Sequence, residues 1–220
     1  MERLSGLPLD EYIDTNILKP LQMNDTFFEV PPTKRDRFVQ NHFINPETGS
    51  LINADYAPAP YGYRKGVALS DYFNVSLISG GAGLVSTALD YARFAEMLRR
   101  GGTLDGARIL GPKSVAFMTK NHLSQPSMHA AWEQMPTPDI GRPGFGFGLG
   151  FGVVTDAAAI GVLGSDGEYN WGGAAGTIFW VDPTEELVVV SLIQLMQSPW
   201  PLRADVKVAV YQALTEIYEE

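Results

Sequence analysis

The sequence predicts an α/β (α+β) fold: an antiparallel sheet flanked by helices. Three observations carry this reading. Residues 168–195 form two strand-like runs joined by the turn Asp182-Pro183-Thr184-Glu185-Glu186; the first is glycine-rich and then aromatic, the second apolar almost throughout. Residues 87–100 and 201–217 each carry an apolar stripe at helical spacing. The second strand, 187–195, is apolar on both faces, so both faces of its sheet need cover. A C-terminal helix can supply one cover, and something else must supply the other.

Bulk properties narrow the class. A chain of 220 residues suffices for one good-sized domain or two small ones sharing a core. With 45% hydrophobic and 19% charged residues it reads as globular. The net charge is −9 and no basic cluster exceeds Lys34-Arg35-Asp36-Arg37, which argues against a nucleic-acid partner. The absence of cysteine excludes disulfides, thiolate metal sites and a cysteine nucleophile. The longest apolar run, 187–196, is about half of what a membrane span needs. Residues 1–6 lack the apolar core of a signal peptide. The expectation is a soluble protein with no membrane partner, the cytoplasm being favoured while the compartment stays open.

Taken in order, residues 8–18 predict a short helix, with Leu9, Tyr12, Ile13 and Ile17 on one face and Pro20 ending the pattern. Residues 21–28 show no clear period. Residues 31–80, rich in Pro, Gly, Asn and Tyr, read as a long irregular region of the kind that covers something or functions itself. Thr87 with Asp90 resembles a capping box, and Tyr91, Phe94, Ala95 and Leu98 then mark the helix face until Gly101-Gly102 end it. A turn at Leu104-Asp105-Gly106 precedes a short helix from Gly111-Pro112 to about Asn121, and 124–144 is a second polar loop. Residues 145–155 alternate Phe and Leu with glycine, a strand with one very small face against which something should pack tightly. Residues 157–167 read as a turn. After the two strands, Pro201 opens a terminal helix with Leu202, Val206, Ala209, Val210, Ala213, Leu214 and Ile217 as its buried stripe.

Chemistry-bearing motifs are few. His42, His122 and His129 lie in loops or at a helix end, where surface or structural roles are the rule. There is no Gly-x-Ser-x-Gly elbow, His-Glu-x-x-His or phosphate-binding loop. None of the serines from Ser5 to Ser198 has lysine three residues later, so no Ser-x-x-Lys nucleophile and base exists within these residues. Tyr72-Phe73-Asn74 spells Tyr-x-Asn, too short a match to weigh by itself. The glycines of 168–183 admit two readings: relief of crowding in a hairpin, or close approach of a ligand to a backbone N–H.

Several ordered blocks resemble serine β-lactamase-related hydrolases, the group of class C β-lactamases, family VIII carboxylesterases and penicillin-binding-protein-like peptidases. They are 5–12, 20–26, 80–98 (GGAGLVSTALDYARFAEML), 103–118 (TLDGARILGPKSVAFM) and 148–194, nearly the whole chain. The resemblance implies a β-lactamase/transpeptidase-like fold. It places Trp171 where relatives carry the lysine of a Lys-Thr-Gly strand, followed by Gly172 and Gly173, with Ala174 offering its backbone N–H to an oxyanion hole. Replacing that lysine by Trp171 removes a cation that would bind a carboxylate, which favours neutral short acyl esters over β-lactams or D-amino-acid peptides. In the family the Ser-x-x-Lys helix, the catalytic tyrosine and the N-terminal strands all precede the block that begins here. The resemblance therefore implies the C-terminal portion of a serine hydrolase, with no catalytic nucleophile, base or tyrosine of its own and no activity in isolation. The expected division is 1–144, a helical and loop region forming part of the substrate wall, and 145–220, the antiparallel strands with the terminal helix. Tyr61 and Trp132 are the candidate wall contacts. No cofactor or metal is implied; the expected partners are a small ester or amide substrate and either a separate N-terminal half or a second copy. An unusual site around Tyr72 and His122 remains a third reading.

Overall fold

The computed structural model describes residues 1–53, 72–81, 83–123, 143–196 and 198–216. Two compact units result, the first made of Met1–Arg93, Ala174–Thr177 and Leu192–Trp200, the second of the remainder.

In the first unit, α1 (Glu2–Ser5) and α2 (Leu9–Ile13) lead into a π-helical turn, Asp14–Leu18, so the predicted helix exists but its last turn is wider than α. Leu18, Leu21, Met23, Phe28 and Val30 are buried and give the otherwise aperiodic residues after it a core role. Within the predicted irregular region lie a 3-10 turn, Pro32–Arg37, and a hairpin of β1 (His42–Ile44) and β2 (Leu51–Asn53). Asp25 accepts hydrogen bonds from Lys34 and Arg37, which hold its carboxyl down at about 2.

Helix α3 (Ala88–Arg99) begins as predicted, with the Asp90 N–H donating to Thr87 Oγ1 at 3.2 Å. The other half of the capping box is used differently. The Asp90 carboxylate accepts from the Asp25 N–H at 2.7 Å and from Thr26 Oγ1 at 2.9 Å, so it ties the helix start to a distant segment.

In the second unit β3 (Thr103–Leu104) and β4 (Ala107–Arg108) form a small hairpin around Asp105-Gly106, and α4 (Pro112–Met118) follows. Five antiparallel strands then run in sequence order: β5 (Phe145–Phe147), β6 (Gly152–Val154), β7 (Tyr169–Gly172), β8 (Ile178–Asp182) and β9 (Leu187–Ser191). Helix α5 (Ala157–Ile160) lies between β6 and β7, and α6 (Leu202–Gln212) follows the sheet.

Four sequence expectations change here. Residues 145–155 are a hairpin of two short strands, because Gly150 at φ +96° allows the chain to reverse. Its small face is occupied as expected: a Cβ at Gly146 would lie 2.4 Å from Asn121 Cγ, and one at Gly148 2.1 Å from the Met118 carbonyl oxygen. Residues 157–167 contain the short helix α5, capped by Asp156, whose Oδ1 accepts from the Ala159 N–H. Strand β9 ends at Ser191, since Gln194 to Met196 turn to pair with His42 instead. Helix α6 turns inward Leu202, Val206, Lys207, Val210, Tyr211 and Leu214, while Ala209 and Ala213 are exposed. Ile217 lies outside the described residues. Polar groups on α6 find buried partners, and this rotates the helix away from its most apolar side. Among the described residues no helix is long and apolar enough to cross a membrane.

Candidate active site

The stretch from Glu168 to Gly176 is a strand, β7, and the tight connection that returns it to β8. Cross-strand pairs Trp171–Phe179 and Gly172–Ile178 set the register at the end of the ladder. Trp171 is half-buried, with Phe147 meeting it edge to face at 4.9 Å between centroids. That pair puts an apolar ring at the position where a lysine would put a cation.

The glycines of this stretch have separate reasons. At Gly172 a Cβ would stand 2.7 Å from Arg203 Cζ, so a larger residue would push the guanidinium off its present place against the strand. At Gly176 the chain takes φ +85°, and a Cβ would stand 2.4 Å from Ile193 Cδ1. Both relieve crowding, as one reading of the sequence had it. The connection keeps its backbone in reach all the same. Ala175 accepts from the Leu195 N–H at 3.0 Å. Arg203 Nη2 donates to the carbonyl oxygen of Gly173. Ala174 is exposed, and among the described residues its N–H has no acceptor.

Behind the strand sits a buried polar cluster. Glu168 immediately precedes β7 and is fully buried; its Oε1 accepts from Lys207 Nζ at 2.7 Å and from Asn170 Nδ2 at 3.3 Å. The Tyr211 hydroxyl lies 2.8 Å from Glu168 Oε2 and 2.7 Å from Asp182 Oδ2. Asp182 Oδ1 accepts from the N–H groups of Thr184 and Glu185, which anchor the β8–β9 turn. One phenolic proton cannot serve two ionised carboxylates. Burial pushes the Glu168 carboxyl up, against the pull of Lys207 and Tyr211. Burial and both carboxylates also push the Tyr211 phenol well above its ordinary range.

Trp171 and Gly172 close β7, and Gly173 and Ala174 follow them in the connection to β8. Tyr61, Trp132 and His129 lie outside the described residues. The His122 ring nitrogen lies 2.7 Å from the Phe117 carbonyl oxygen and its ring packs on Phe117, while Tyr72 packs on Phe38. These contacts give each a local structural role, His122 in the second unit and Tyr72 in the first. Sequence reading missed Arg203, Lys207 and Tyr211. Their i, i+4, i+8 spacing was the available signal, since it puts three polar groups in one row along α6.

Comparison with known proteins adds a second line of observation. Residues 1–213 match the family model described as Beta-lactamase. Protein Rv1367c of Mycobacterium tuberculosis (strain ATCC 25618 / H37Rv) is 34% identical over 200 residues, taking in 88% of this chain and 45% of that protein. Among solved structures the chain is similar to EstCE1, described as a hydrolase with promiscuous acyltransferase activity. The TM-score there is 0.71 at 25% identity, over 94% of this chain and 51% of that one. Unliganded simvastatin synthase (LovD) from Aspergillus terreus shares the fold with a TM-score of 0.75 at 22% identity, over 98% of this chain and 52% of that one. The chain thus spans about half the length of these proteins.

Proposed function

The chain belongs to the Beta-lactamase family and has its β-lactamase/transpeptidase-like fold, and on that premise we propose that it supplies the oxyanion side of an acyl-transfer site. The observation that carries this is the N–H of Ala174, an exposed residue directly after Trp171-Gly172-Gly173, which has no acceptor among the described residues. A tetrahedral intermediate needs a donor fixed before charge develops, and a backbone N–H on a held peptide meets that need. The half-buried Trp171–Phe147 pair puts an apolar ring, and no lysine, at position 171. This favours short neutral acyl esters as the substrate class, with β-lactams or D-amino-acid peptides as the alternative.

Covalent acyl transfer also requires an activated nucleophile. No Ser-x-x-Lys occurs in the 220 residues, so nucleophile and base would come from outside them. The 220-residue chain alone is expected to leave a fluorophosphonate serine probe unreacted and p-nitrophenyl butyrate unhydrolysed. Stoichiometric labelling at any of its serines would refute this division of labour.

A second reading, a non-catalytic module that docks with a partner, is favoured by a different observation. Among the described residues β9 pairs only with β8, and all five of its residues are half-buried. On α6, Val208 and Ala209 are exposed. An apolar strand with one edge open among the described residues, and an apolar helix side, invite a strand or helix from a separate N-terminal half or a second copy. The isolated chain should then bind an environment-sensitive apolar dye and sediment as more than a monomer as concentration rises. A strictly monomeric, dye-silent chain would count against it.

A further inference from the structure

Resting on the oxyanion reading above, we propose that Arg203 is a positioning residue that aims the Ala174 N–H. Its guanidinium lies against Gly172, where a Cβ would come within 2.7 Å of Cζ, 2.8 Å of Nη2 and 2.9 Å of Nη1. From there Nη2 donates to the Gly173 carbonyl oxygen. Among the described residues no peptide bond is cis, so the Gly173–Ala174 unit is planar and trans, with its C=O and N–H pointing in opposite directions. Holding the oxygen toward Arg203 therefore turns the Ala174 N–H away from the guanidinium, to the opposite side of that peptide. A charged donor on the carbonyl also polarises the amide and strengthens the N–H as a donor. Arg203 itself, bound on the carbonyl side, does not take the oxyanion.

The guanidinium is placed by its own helix. Lys207 and Tyr211, one and two turns further along α6, grip Glu168 just before β7, while Arg203 grips Gly173 just after it. One row of α6 thus clamps β7 at both ends. The row spans about 12 Å of helix against about 17 Å of strand. The acidic residue in the first turn of α6 is Asp205, which is exposed. Alanine at position 172 would displace the guanidinium from this place even with Arg203 intact, so the glycine and the arginine act together.

The test uses the full 220-residue chain, labelled with 13C and 15N, as wild type, Arg203→Met and Arg203→Lys. Diethyl phosphate serves as the anionic probe. Loss of the hydrogen bond should move the Gly173 carbonyl carbon and the Ala174 amide in Arg203→Met, with Tyr169 and Val181 unmoved as evidence that the sheet is intact. Arg203→Lys should restore part of the shift, since an ammonium can still donate. In the wild type diethyl phosphate should move the Ala174 amide, and in Arg203→Met its affinity there should fall roughly tenfold. Unchanged Gly173 and Ala174 signals in Arg203→Met would overturn the positioning role. Equal affinity in the wild type and Arg203→Met would overturn it too. A wild-type Ala174 signal indifferent to diethyl phosphate, with the Gly173 shift still seen in Arg203→Met, would instead sink the oxyanion reading and leave the anchoring of the peptide in place.

Discussion

Replacing Lys207 by methionine is expected to destabilise the fold by roughly 3 kcal/mol at pH 8 and by much less at pH 5, because it strands a buried carboxyl without its cation. Glu168 is fully buried and the Lys207 side chain only 15% exposed, so solvent offers little replacement for the pair. The sign follows from the direction of the Glu168 shift. Burial raises its carboxyl above the ordinary 4.5, and Lys207 is the largest influence pulling it back down. A carboxyl raised on folding contributes stability that is present in full below 4.5 and is lost as the pH climbs through the folded value. Removing Lys207 moves that folded value further up, so the loss deepens toward neutral and alkaline pH. Urea unfolding midpoints at pH 5 and pH 8 would check this. Glu168→Gln in the Lys207→Met background should recover most of the loss at pH 8, because the amide has no charge to bury. A loss of equal size at both pH values would show that packing, and not the charge, is what Lys207 provides.

Trp180→Ala should cost about 3–5 kcal/mol, the range for deleting a large buried aromatic side chain. Trp180 is 1% exposed on β8, and its ring lies nearly parallel to Tyr211, with centroids 6.4 Å apart. The substitution leaves a void at the place where α6 meets the sheet, so the clamp on β7 should loosen together with the core. Trp180→Phe should cost far less. The indole Nε1 is buried without a hydrogen-bond partner among the described residues, so phenylalanine loses area but no hydrogen bond. Calorimetric unfolding of the two variants distinguishes the effects. Similar losses for Ala and Phe would mean that the indole nitrogen has a partner after all, and that the ring area is secondary.

Legibility in the sequence followed the range of each interaction. The helix opened by Thr87, the turn at Asp182-Pro183 and the strand ending in Trp171-Gly172 were all readable, because each is decided by residues within a few positions of one another. The small face of residues 145–155 was readable as a demand for close packing, but not its partner, the carbonyl of Met118 and the side chain of Asn121. The inward face of α6 was misjudged. An apolar count chose Ala209 and Ala213, whereas Lys207 and Tyr211 turn inward because Glu168 and Asp182 wait there. A buried carboxylate draws a cation and a phenol more strongly than the sheet draws two methyl groups.

From the sequence came the family, the antiparallel strands with their flanking helices, and the candidate stretch Trp171 to Ala174, since blocks of wording and alternation are local properties. Tertiary structure alone decided why Gly172 is glycine, which side chain holds the Gly173 carbonyl, and where the Glu168 charge is answered. Each of those depends on pairs of residues about 30 to 40 positions apart, Arg203 with Gly173 and Lys207 with Glu168. Their meeting is created by the docking of α6 on the sheet, and no periodicity along the chain encodes it.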